Sequence, residues 1–136
     1  MRGSIPTVAM VLLLFVSAAA EAQDGLTKLD RQGPVTVAVT LAAPPAVATP
    51  IKAKVVFDTH SVELDDVVFE QAVALRGSDG RDVAPASLEQ AKGSGHHREA
   101  VLVFPPLADG GQVRVVVKDV GGVAERVFTW DTPVGR

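Results

Sequence analysis

The chain has three histidines, and each lies in a polar cluster that could do chemistry: His60 in FDTHSVELDD, His96 and His97 in GSGHHREAV. Neutral imidazole is the commonest metal-binding side chain, and three of them with one carboxylate suit Zn²⁺ or Cu²⁺. Asp58 is the carboxylate best placed to join. If Phe57 faces a core, Asp58 and His60 both face outward, about 7 Å apart at roughly 3.3 Å per residue. Asp58 would then be a fourth ligand or would orient an imidazole through its second nitrogen. Adjacent histidines on an extended strand point to opposite faces, so His96 and His97 converge only if the chain turns there. The competing reading is structural: His60 as a hydrogen-bonded strand end beside Asp58 and Ser61, the histidine pair solvated or bound to backbone carbonyls, and Arg98 ion-paired with Glu99.

Other chemistries are excluded by residue type or spacing. There is no cysteine, and both methionines, Met1 and Met10, lie in the N-terminal apolar segment. A Cu(I) or blue-copper centre therefore lacks its sulfur ligands. Glu63, Asp65 and Asp66 do not have the spacing of a calcium loop and read as a solvated acidic turn. Ser61 follows His60 directly, so on a strand the two face apart, and no G-x-S-x-G elbow occurs. GSDGR and DGG have neither the length nor the lysine of a phosphate loop. The chain reads as a non-enzyme. Its net charge of −3 offers no basic footprint for nucleic acid or anionic lipid.

Residues 1–22 have the three-part layout of a secretory signal peptide: Arg2, an apolar run from Val8 to Ala20, and the small-residue triplet Ala20-Glu21-Ala22 before the cleavage point. The apolar run is shorter than the roughly 20 residues of a membrane span. The expectation is a periplasmic or secreted protein with no membrane span after cleavage. Residues 23–34, polar and closing on Pro34, read as a leader segment.

Residues 35–136 read as one domain. VTVAVTL alternates, with Val35, Val37, Val39 and Leu41 on one face, and IKAKVVFD places Ile51, Ala53, Val55 and Phe57 inward with Lys52 and Lys54 outward. VVFEQAVALRG holds a third strand, preceded by a possible helical turn at SVELDD. GSDGRDVAP is a tight turn into a short edge strand ending at Pro85. Ser87 and Gln90 have capping-box spacing, which predicts a helical turn closed by Gly93. REAVLVF and QVRVVVKDV are further strands, and Gly121-Gly122 turns the chain into VAERVFTW. About seven short strands without a long amphipathic helix predict an antiparallel β-sandwich of immunoglobulin-like or cupredoxin-like type, with a small open barrel as the alternative. Trp130 is expected to close the core.

FDTHSVELD, GHHREAVLVFP and GGVAERVFTW, in that order after GPVTVAVT, resemble a pattern in small exported bacterial β-sandwich proteins of uncharacterised activity. The resemblance covers nearly all of the mature chain. It implies that the Asp-Thr-His-Ser and Gly-His-His-Arg-Glu segments belong to one design, and it implies no activity. Two functions are therefore expected to compete. One is a divalent transition-metal binder using His60, His96, His97 and Asp58, with Zn²⁺ or Cu²⁺ bound. The other is a structural or protein-interaction module that docks a partner on a sheet edge by β-augmentation, its histidines only fixing loops.

Overall fold

The computed structural model describes residues 25–107 and 111–132; the signal-peptide reading at 1–22 lies outside them. The strands are β1 (Thr27–Asp30), β2 (Val35–Leu41), β3 (Ile51–Thr59), β4 (Val73–Arg76), β5 (Asp82–Val83), β6 (Ser87–Ser94), β7 (His97–Phe104), β8 (Gln112–Val120) and β9 (Val123–Asp131). One helical turn, α1 (Phe69–Ala72), precedes β4. The strands form two antiparallel sheets, ordered β1-β2-β3-β7-β6 and β5-β4-β8-β9. Neither closes on itself, so the fold is a sandwich rather than the open barrel. No helix among the described residues is long and apolar enough to cross a membrane.

The alternation read from β2 and β3 is the burial pattern observed. Val35, Val37, Val39, Ala53, Val55 and Phe57 are fully buried, and they pack with Leu102, Phe104, Val113, Val115 and Val117 of the other strands. Each fully buried Val, Leu or Phe contributes about 1.5–3 kcal/mol. Phe57 stacks on Phe69 of α1, with centroids 5.1 Å apart, and Trp130 is buried in the core as expected. The β8–β9 hairpin turns at Gly121-Gly122, both with positive φ. Gly121 is doubly constrained, because a Cβ there would lie 2.6 Å from Val35 Cγ2.

Three segments differ from the sequence expectation. Residues 27–30 of the polar leader pair with β2 as β1, from Thr27↔Thr40 to Asp30↔Val37. The 87–94 segment is not a helical turn but strand β6 at the margin of the first sheet, with a register shift between Glu89 and Lys92 where Gln90 takes φ 49°. The turn expected at 61–66 contains no helix; the helical turn lies later, at α1. These two strands, added to the seven expected, bring the count to nine among the described residues.

Arg126 anchors the margin where the two sheets meet. Its side chain is wholly buried, donating from Nη1 to Val35 O (2.7 Å) and Asp30 Oδ1 (3.1 Å), and from Nη2 to Val120 O (3.0 Å). Burial works to raise the Asp30 carboxyl, but hydrogen bonds from Gln32 and the Arg126 charge outweigh it and hold the group below its ordinary value. Removing one partner of such a pair strands the other. Arg126→Ala should therefore cost about 3 kcal/mol or more in urea unfolding.

The outer face of the second sheet is closed by charge. Arg76 donates to Asp82 (2.7 Å) and Glu125 (2.5 Å), and Lys118 also bonds Asp82. Arg76 lies on β4 and Glu125 on β9, so their link spans β8, and Val116 beneath it is fully buried although it is not part of the inter-sheet core. Hydrogen bonds from Arg76 and then Lys118 bring Asp82 from the ordinary 3.8 to about 2. A carboxyl lowered in the folded state contributes stability that is complete above its unfolded value and drains as pH falls through the folded one. Acid unfolding should therefore steepen between about pH 4 and pH 2, and Asp82→Asn should flatten that limb of the stability profile.

Candidate functional site

The two histidine segments meet at one end of the sandwich, and the backbone joins them. Thr59 N–H donates to His96 O (3.0 Å) and Leu64 N–H to Gly95 O (2.9 Å), so the loop after β3 lies along the β6–β7 turn. The Asp65 carboxylate accepts from Gly95 N–H at 2.8 Å. Thr59 itself is buried, and its hydroxyl donates to Pro34 O (2.9 Å) and accepts from Ser61 N–H (3.2 Å). Ser94 pairs with His97, leaving Gly95 and His96 as a two-residue turn. Only the first of the two has positive φ (65°), the pattern of a type II′ hairpin turn.

This turn separates the two adjacent histidines. His97 begins β7 on the outer face of the five-stranded sheet, directly opposite Asp58 in register. Its Nδ1 hydrogen-bonds Asp58 Oδ1, and because a carboxylate only accepts, Nδ1 carries the hydrogen. His97 Nε2 is left facing solvent, 3.9 Å from Glu99 Oε2. His96 leans the other way, its Nε2 3.5 Å from Glu63 Oε1. His60 lies with Asp58 along a shallow cleft of about 220 Å³ that is also lined by Pro34, Thr36 and Thr59.

Asp58 therefore reaches the histidine pair, and it does so at His97. The four residues His60, Asp58, His96 and His97 share one end of the fold but do not converge on a point. Among the described residues no three His, Cys, Asp or Glu side chains are grouped to hold a metal ion. What is present is a half-exposed imidazole–carboxylate pair, His97 with Asp58, in which the carboxylate sets the imidazole tautomer.

Arg98 has a role the sequence reading missed. It does not pair with Glu99, because consecutive strand residues face opposite ways. Glu99 points outward between Lys92 (2.8 Å) and Lys54 (3.3 Å), and their hydrogen bonds, that of Lys92 foremost, keep its carboxyl below the ordinary value against some desolvation. Arg98 points inward, its guanidinium 5.1 Å from the Phe69 ring centroid. From there Nη1 donates to Val67 O (2.5 Å) and Leu64 O (2.7 Å). The signal was present in the alternation of REAVLVF, which puts Arg98 on the same face as Ala100, Leu102 and Phe104.

No protein family, curated protein or solved structure matches the chain.

The energetics of the two contacts at this end differ. Asp58 and His97 are each more than half exposed, and exposed ion pairs contribute about 0–1 kcal/mol. Arg98 makes charged hydrogen bonds to partly buried carbonyls, a class that contributes about 1.5–3 kcal/mol. Arg98→Ala should therefore lower stability by about 2 kcal/mol and speed amide exchange across residues 62–67. Asp58→Asn should change stability by less than about 1 kcal/mol.

Proposed function

We propose that the protein is an exported, non-catalytic interaction module that binds a protein partner by strand addition at the outer edge of β9. The observation that carries this reading is the contrast between β9 and the other sheet margins. β1 has four residues with charged Lys28 and Asp30, β5 has two residues, and β6 is broken by the register shift after Glu89. β9 runs nine residues in one antiparallel register with β8, without a shift and with a single gap at Ala124 opposite Asp119 (φ 54°), contains neither lysine nor proline, and exposes Val127 at its middle. Short, bulged or charged margins are the usual protection against strand addition, and a long regular margin is a template for it.

Arg126 does not protect the edge, because its charge is directed to Asp30 and two carbonyls of its own chain. The histidine end supports the scaffold in this reading, and the resemblance to exported proteins accords with it. A photo-reactive residue placed at position 127 should form a protein adduct in the producing cell, whereas one at Lys52, on the outer face of the other sheet, should not. Adducts from neither position, or equally from both, would contradict the reading.

A second reading follows from one specific contact, the Asp58 carboxylate behind His97. It makes His97 Nε2 the lead ligand for Zn²⁺ or Cu²⁺, with water completing the shell. A ligand at 100 times its Kd that binds only the folded state adds about 2.7 kcal/mol. Metal binding predicts a raised melting temperature with Zn²⁺ or Cu²⁺ that is abolished by His97→Ala. The interaction-module reading predicts identical melts with and without metal.

A further inference from the structure

The β9 edge is self-complementary, and we propose that its occupant is a second copy of this chain, paired antiparallel through a two-fold axis at Val127. The inference rests on the reading of β9 as a docking edge and names the partner.

Val127 is the central residue of Val123–Asp131, so an axis there overlaps the strand along its full length. The outward row of β9 is then matched residue by residue. Val127 meets Val127 of the second copy, Glu125 meets Thr129, and Val123 meets Asp131. Like charges directly opposite destabilise a strand pair, and this register contains none. Moving the axis two residues toward the N terminus sets Glu125 against itself. Moving it two residues the other way sets Val127 against Asp131 and leaves the start of the strand unpaired.

The rest of the second sheet is compatible with this partner. Glu125 is already neutralised by Arg76, whose bonds hold its carboxyl below the ordinary value against some desolvation, so it brings no unpaired charge to the seam. The inward row needs no adjustment, since Arg126, Phe128 and Trp130 are buried within their own chain. Val127, which is 46% exposed, would be covered by its counterpart. The four-stranded sheet of each copy would continue across the axis into the other, satisfying backbone groups that the edge otherwise leaves to water. An isologous pairing of this kind closes on itself and leaves no further β9 edge for polymerisation.

The test uses the full mature chain and exploits its lack of cysteine. Sedimentation velocity should show a concentration-dependent dimer. Val127→Lys, which places two ammonium groups face to face at the axis, should weaken it on the order of tenfold or more with the melting temperature of the monomer unchanged. Under mild air oxidation Val127→Cys should form a disulfide-linked dimer, because directly opposed antiparallel residues have Cα separations of about 4.5–5.5 Å, within disulfide range. Glu125→Cys, opposite Thr129, should not. A wild-type chain that stays monomeric, or cross-linking no better at 127 than at 125, would overturn the inference. If position 127 still captured a protein of different mass in the cell, the interaction reading would survive without the second copy; capture of nothing would end both.

Discussion

A strand at the margin of a sheet leaves one row of amides and carbonyls without a strand partner, and much of this sandwich can be understood from how its four margins meet that requirement. Three are made unattractive to another chain by shortness, charge or a break in register. At the fourth, β9, the chain invests in internal order: Arg126 ties the strand to β1, β2 and the Gly121-Gly122 turn, and Arg76 ties its outer face to β4 across β8. The result is a nine-residue edge strand held from both faces. Under the proposed strand addition, such rigidity would lower the entropy lost on docking.

The opposite contrast holds at the histidine end. There the backbone groups of the 59–67 loop and the β6–β7 turn are used on each other, with Arg98 closing the inside. The imidazoles lie outside this frame. His97 is held by one exposed carboxylate and His96 stands near another, which sets their orientation but adds little to stability. A charged side chain facing inward thus organises two places in the structure, Arg98 beneath the 59–67 loop and Arg126 between β9 and the β1–β2 margin, and each does so by donating to carbonyl oxygens.

The strands whose two faces differ in polarity were legible in the sequence. β2, β3, β7, β8 and β9 each carry an inward row at a period of two, and with them came the antiparallel sandwich, the Gly121-Gly122 hairpin and the burial of Trp130. β1 and β6 were not legible for a common reason: TKLD and SLEQAKGS lie at sheet margins, expose most of both faces and so have no apolar row to read. In β6 the Ser87–Gln90 spacing even mimics a helix start, and only pairing with β7 overrides it. Strand period alone fixed the outward direction of Asp58, but its partner depended on the β3–β7 register, which local sequence does not encode. That is why the carboxylate is found on His97 while His60 lies along the cleft beside it.

The central claim, that β9 is a docking edge for another copy, is tested most directly by amide hydrogen exchange of β9 read residue by residue as protein concentration rises. Every second amide of β9 points away from β8, so the account predicts that those amides near Val127 exchange rapidly in dilute solution and become protected at high concentration, while the alternate amides bonded to β8 stay slow throughout. Exchange of the outward-pointing amides that does not change with concentration would contradict it.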